Sequence, residues 1–370
     1  MTSQLAYEQI LGRGSYKTVY LVTTTEEVPQ KQWAMAVEKI RSKTDAKQAL
    51  KGIRRVQQFH LMMAKLSASN DDNAKYYQDS FEQIDFWWFQ AASYLEDFTV
   101  GAQVFLPESP NNDARTQAIP RRFAGRPQVL IALKPAYDID LDTLVKRMPE
   151  LYPIGTVAPS QSQHTGFLVV VGMDPRQSVD QPAVLLSHEL CSMGALMHAS
   201  RLVHRDIKGK NIMLRKGTGR PVLIDFGFAE FVPESSSISH GNRLCIEEPG
   251  KFKGEKAYML SADAKMFRGC AEGDVYAMGK TLYEVIFGGP QNSHCLGCST
   301  KASSKLSLEG IKAKEIEFRT HLDSPEAGTT SRFLLTRKCR DALMLAIQGM
   351  CQEDNPISFA AAASILKKNG

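Results

Sequence analysis

One pair of short runs limits what this chain can fold into: His204-Arg205-Asp206-Ile207-Lys208-Gly209-Lys210-Asn211 and, nineteen positions after Asp206, Asp225-Phe226-Gly227. Leu185 to His198 is an apolar, helically spaced segment that delivers the chain to the first run. Pro221-Val222-Leu223-Ile224 reads as a short apolar strand running into Asp225. Either tripeptide alone would carry little weight. Both in this order, with Lys208 and Asn211 at these offsets, are specific.

An aspartate to orient a hydroxyl, a lysine two residues on for a transferring phosphate, and an asparagine and second aspartate for magnesium form a set of parts for phosphoryl transfer. A second landmark lies near the start of the chain, where Ile10-Leu11-Gly12-Arg13-Gly14-Ser15-Tyr16-Lys17-Thr18-Val19-Tyr20 reads as strand, glycine-rich turn and strand. In these motifs the chain resembles the eukaryotic protein kinases, with Lys17 where their third glycine is expected. The resemblance implies an α+β, bilobal kinase-like fold filling the whole chain, with a small β-rich lobe to about residue 133, a hinge over 134–140 and a larger helical lobe from 141. It implies ATP and magnesium as cofactors. Leu11, Gly12, Gly14, Lys17, Val19, Ala36, Lys39 and Met213 would line the nucleotide, and Asn211 and Asp225 would hold the metal. Asp206 would orient the acceptor hydroxyl and take its proton while Lys208 steadies the γ-phosphate; a lysine at 208 implies a serine or threonine acceptor on a protein.

The strand expected to carry a phosphate-binding lysine reads Ala34-Met35-Ala36-Val37-Glu38-Lys39-Ile40, and two registers are open. One puts Glu38 at the lysine position; a slip of one residue puts Lys39 there and exchanges the two faces of the strand. The Glu38 register is favoured because it keeps Ile40 at an apolar position. Another cation is then needed. Lys17 lies two residues before Val19 on one strand, so the two share a face, and a Val19 covering the adenine would bring Lys17 to the phosphates. Over these first strands the chain resembles the with-no-lysine kinases, whose phosphate-binding lysine is relocated in this way. The alternative is a solvated lysine at a hairpin tip.

Two helical segments are expected before the next strand, near Asp45 to Leu66 and near Asp71 to Leu95, followed by a strand over Thr99 to Phe105. The first offers only Gln57 or Gln58 where kinases carry a glutamate partner for the lysine; the second offers Glu82. Phe81, Phe86, Trp87, Trp88 and Phe89 read as a core or docking face. Beyond Asp225, the activation segment to about Ala262 contains Ser235, Ser236, Ser237 and Ser239 and ends Gly254-Glu255-Lys256-Ala257-Tyr258-Met259-Leu260-Ser261-Ala262. Kinases usually have a threonine after that glycine and finish in Ala-Pro-Glu. Ala262 stands for the glutamate and Phe359 for its usual arginine partner, a double loss that reads as repacking. Gly273 to Tyr283 matches the kinase helix whose aspartate anchors the catalytic loop.

At 370 residues and 43% hydrophobic, the chain is long enough for one such enzyme with insertions at Leu106–Arg126, Pro149–Gln181 (with a strand at Phe167 to Val171) and Gln291–Thr330. No long apolar run or charged-then-apolar leader is present, so neither a membrane span nor a secretory signal is expected. Seven cysteines suggest reduced thiols in the cytoplasm, or in a host cytosol if the chain is a secreted effector. His294 with Cys295 and Cys298 could be half of a zinc site, but no second Cys-x-x-Cys answers it. A net charge of +5, with no interleaving of aromatic and basic residues, gives no reason to expect nucleic acid, and nothing sets an oligomeric state. Two rivals stay open: a pseudokinase acting as a nucleotide- or partner-binding scaffold, favoured by the displaced lysine, and a kinase of small molecules.

Overall fold

The computed structural model describes residues 4–13, 17–25, 31–69, 71–91, 103–105, 128–137, 139–145, 182–215, 218–233, 244–247, 254–266, 268–288, 306–329, 331, 333, 335–353 and 355–369. The chain divides into two compact units, residues 1–61 with 82–137 and residues 62–81 with 138–370.

The first unit is built on a six-stranded sheet in the order β4-β6-β3-β2-β1-β5. Its strands are β1 (Gln4–Arg13), β2 (Lys17–Thr24), β3 (Gln32–Ile40), β4 (Phe86–Ala91), β5 (Gln103–Phe105) and β6 (Gln128–Pro135). Period-two alternation gives the sheet two apolar faces. One is formed by Leu5, Val22, Trp33, Met35, Val37, Trp88 and Ile131 with their neighbours. On the other, Ala36, Ile40, Trp87, Leu130 and Ala132 meet Ala46, Leu50 and Ile53 of α1 (Lys43–Ala68).

The second helical segment expected here is far shorter. Asp71 caps α2 (Asp72–Tyr77) by accepting from the Ala74 amide at 3.0 Å, and one 3-10 turn ends it at Ser80. Phe86 to Ala91 is then a strand, because its aromatic side chains alternate between the two faces of the sheet: Phe86 and Trp88 pack on one, Trp87 and Phe89 on the other. The aromatic cluster is core, and of the strand expected over Thr99 to Phe105, residues 103–105 form β5 while 99–102 lie outside the described residues.

In the second unit, α3 (Pro182–Ala199) leads through β8 (Leu202–Val203) to the hairpin of β9 (Ile212–Leu214) and β10 (Pro221–Leu223), and β7 (Ile139–Asp140) pairs with β9. β11 (Glu230–Phe231) pairs with β8. β12 (Cys245–Glu247), α4 (Ser261–Met266) and β13 (Arg268–Cys270) precede the buried α5 (Ala271–Ile286), and α6 (Leu308–Leu322), α7 (Arg337–Met350) and α8 (Phe359–Asn369) complete the unit.

Two expectations change and one gains its detail. The excursion after α5 holds a helix, α6, because Ser307 caps it by accepting from the Gly310 amide and Ile311, Glu315, Phe318 and Leu322 form a buried stripe amid charged residues. Phe359 is repacked: it lies on the His198 ring and on Gly194 of α3, where a β-carbon would collide with it, while Ala262 is exposed. Not all thiols are reduced: β12 and β13 pair with Cys245 opposite Cys270, and the two form a disulfide. Cys191, Cys339 and Cys351 are buried, and burial pushes the thiols of Cys191 and Cys351 up to about 12.

Candidate active site

The loop from His204 to Asn211 is held from below by one carboxylate. Asp274, in the first turn of α5, accepts from the backbone amides of His204 at 2.6 Å and Arg205 at 2.7 Å, and meets Nε2 of His198 at 3.2 Å. Burial alone would push the Asp274 carboxyl up; the hydrogen bond and charge of His198, with His204 adding to them, outweigh it and hold the group below its ordinary value. Above the loop, His204 Nε2 bonds the Ile224 carbonyl at 3.1 Å and its ring packs on Phe226, which in turn packs on Phe81. The Ile224 amide donates to the Asn211 carbonyl at 2.9 Å, extending the β9–β10 hairpin so that Asn211 and Asp225 lie at its end together. Arg205 and Asp225 have φ of 72° and 64°, a left-handed conformation that non-glycine residues adopt at a cost and that clusters at functional sites.

Asp206 is the centre of a polar cluster. Its Oδ2 accepts from Lys208 Nζ and from Asn211 Nδ2, both at 2.9 Å, and its Oδ1 accepts from the Glu255 backbone amide at 2.9 Å. Asn211 Nδ2 also donates to the Asp206 carbonyl at 2.7 Å. Its amide nitrogen is therefore committed to the loop, which leaves the amide oxygen for a cation, as an asparagine metal ligand requires. The Lys208 ammonium also lies 3.3 Å from the Glu255 carboxylate. Burial would favour loss of its proton, but Asp206 and then Glu255 reverse that and raise its affinity for the proton. Glu255 reaches Asp206 because Gly254 has a φ of 93° and packs where a β-carbon would collide with the Arg205 carbonyl oxygen.

The expected nucleotide-lining residues of the first unit fall as follows. Val19 pairs with Ala36 and Lys17 with Glu38 across β2 and β3; directly opposed residues share a face, and here it is the face that α1 covers. Lys17 and Glu38 are half-buried there. Lys39 is exposed, on the opposite face with Val37. Gly12 pairs with Val19, Leu11 lies exposed at an irregularity of the β1–β2 register, and Gly14 is outside the described residues. In the second unit Met213 is half-buried on β9. Glu82 is not on a helix; it is buried in the stretch before β4 and pairs with Lys134 of β6. The carboxylate content of α1 is a single residue, Asp45, which accepts from the Arg41 amide at 3.0 Å at the start of the helix.

Two features of the site escaped sequence reasoning. The Glu255 contact with Lys208 was signalled only by the missing threonine after Gly254. At the end of the activation segment, the Ser261 amide donates to Glu315 of α6 at 2.7 Å, and Glu315 is paired with Arg319 at 2.8 Å, so a carboxylate and guanidinium are present but both come from α6. The serines at 235, 236, 237 and 239, the stretch Phe167 to Val171, and His294, Cys295 and Cys298 lie outside the described residues.

Comparison with known proteins covers the stretch that holds this cluster. Residues 181–354 match the family described as protein kinase domain. Dual specificity protein kinase zak2 of Dictyostelium discoideum is 32% identical over 97 residues, 26% of this chain and 15% of its own length. The serine/threonine-protein kinase PkaA of Streptomyces coelicolor is 32% identical over 110 residues, 29% of this chain and 19% of its own. PknB of Mycobacterium leprae, also named a serine/threonine-protein kinase, is 28% identical over 118 residues, 32% and 17% respectively. The chain thus spans less than a fifth of the length of each of these relatives. No helix among the described residues is long and apolar enough to cross a membrane. With its sheet-built first unit, its helical second unit and the matched stretch that carries Asp206, Asn211 and Asp225, the chain has a protein kinase-like fold, the match itself covering just under half of the chain.

Proposed function

We propose that this protein transfers the γ-phosphoryl group of ATP to serine or threonine hydroxyls of other proteins. One observation carries the reading: Asp206, Lys208 and Asn211 form a single hydrogen-bonded cluster at the end of the hairpin that presents Asp225. In the reaction the acceptor oxygen attacks the γ-phosphorus, the bond to the ADP oxygen breaks, and the hydroxyl proton passes to the Asp206 carboxylate. The Lys208 ammonium meets the charge on the transferring group. Magnesium, held by the Asn211 amide oxygen and the Asp225 carboxylate, would neutralise charge on the phosphates. Serine or threonine is the proposed acceptor because Lys208 follows Asp206 by two residues and two of the three relatives above are named serine/threonine kinases.

In the first unit, Lys17 is the proposed ligand of the α- and β-phosphates. It shares its face with Val19 and Ala36, whereas Lys39 faces the other way. Phosphate transfer from labelled ATP with magnesium to a generic basic protein tests the function, with Asp225→Ala as the inactive control. A second reading, a nucleotide-binding protein that transfers nothing, is favoured by Glu38 standing on the Val19 and Ala36 face where a lysine is expected. Its signature is a nucleotide-induced rise in melting temperature without transfer by the wild type.

A further inference from the structure

We infer that Glu255 is a positioning residue for phosphoryl transfer, holding the Lys208 ammonium by an ionic contact where the resembling kinases have an uncharged threonine. The inference rests on the proposed kinase activity and adds to it a residue and a charge. An ammonium has three N–H donors and no acceptor. One donates to Asp206 Oδ2 at 2.9 Å, and a second is matched by the Glu255 carboxylate at 3.3 Å. Two carboxylates from separate stretches of chain thus fix the direction of the third donor, the one left for a phosphoryl oxygen. Glu255 is itself fixed: its backbone amide donates to Asp206 Oδ1 at 2.9 Å, and its side chain is only 11% exposed.

The substitution has an electrostatic consequence. Asp206, Lys208 and a threonine would sum to zero charge; Asp206, Lys208 and Glu255 sum to minus one. Lys208 is held protonated by both neighbours, so it keeps its charge while serving them and a phosphate together. Holding the donor in place before the substrate arrives is the form of preorganisation that lowers barriers, since no reorientation is then needed during transfer.

A double-mutant cycle in the full chain tests this. Glu255→Gln keeps the shape and the backbone bond to Asp206 but removes the ionic contact. Its kcat should fall by about 10-fold or more, within the range for loss of one preorganised electrostatic group, with KM for ATP and the melting temperature close to wild type. In a Lys208→Ala background the same change should cost nothing further, because a residue acting through Lys208 has nothing left to act on. Glu255→Thr should recover part of the loss through its hydroxyl. Equal losses from Glu255→Gln in both backgrounds, with the wild type active, would overturn this assignment alone; a wild type that transfers no phosphate would overturn it together with the kinase reading.

Discussion

Lys17 and Glu38 stand directly opposite each other on β2 and β3, on the face of the sheet that also carries Val19 and Ala36. A carboxylate thus occupies the strand position where a phosphate-binding lysine is expected, and the cation is its cross-strand neighbour. Opposed residues of an antiparallel pair have β-carbons about 4.5–5.5 Å apart, close enough for the two charges to influence one another. The helix over this face brings no substitute carboxylate, since Asp45 is committed at its start.

Lys17→Met is therefore expected to lower kcat by about 10²–10³, the usual cost of removing a pre-positioned electrostatic group. Lys39→Met, on the other face, should keep most of the activity. Steady-state kinetics with labelled ATP on both variants checks the assignment, and the reverse ranking would return the role to Lys39.

Asp274 predicts an acid-side loss of stability. Its carboxyl lies below the ordinary value of 3.8, so the unfolded chain takes up the proton first and the stabilisation is fully present above that value. It is lost as pH falls through the folded value. Urea melts from about pH 6 down to about pH 3, a range that brackets ordinary carboxyl values, should show the decline, and Asp274→Asn should flatten it. The same variant should cost about 1–3 kcal/mol at neutral pH, because the two loop amides bond to different oxygens of Asp274 and an asparagine offers a neutral acceptor to one and an NH2 donor to the other.

Gly254→Ala tests the approach of the activation segment to the catalytic loop. With φ at 93° and the Arg205 carbonyl oxygen in the path of a β-carbon, the alanine can be accommodated only if the segment moves off the loop. Activity should fall by about 10-fold or more as the Glu255 contacts open, while the melting temperature, followed by calorimetry, falls only modestly.

Peptide mapping under non-reducing conditions should recover Cys245 linked to Cys270. Cys191 and Cys351, buried with thiols pushed up to about 12, should resist alkylation in the native protein and react once it is unfolded. Cys245→Ser with Cys270→Ser should lower stability by about 3 kcal/mol, the scale for closing a loop of this size. Recovery of both cysteines as free thiols from protein made under oxidising conditions would remove the crosslink.

The catalytic motifs were legible because their chemistry demands particular residue types at fixed offsets, and the loop, hairpin and anchoring helix lie where those motifs indicate. Registers were legible in part: period two paired Lys17 with Val19, but only the strand pairing sets Glu38 opposite Lys17. Phe86 to Ala91 was misread as helix because four aromatics in a row suit a buried helix as well as a strand buried on both faces. α6 was hidden by its charge, since a stripe of Ile311, Glu315, Phe318 and Leu322 includes a carboxylate that is buried only because Arg319 and the Ser261 amide meet it. The disulfide could not be read from seven cysteines, because its two partners are brought together by strand pairing across 25 residues of sequence.

The Cys245–Cys270 bond makes the stretch between them a covalent ring, and Gly254 and Glu255 lie inside it. Cys270 is also the cap of α5, four residues before the Asp274 that secures the catalytic loop. In the oxidised protein the segment carrying Glu255 is thus tethered at both ends to the foundation of the loop it touches. It cannot swing away as a free arm. Any control exerted through it in that state must work by small displacements within the ring, and reduction of a single bond would convert a short-stroke element into a long-stroke one.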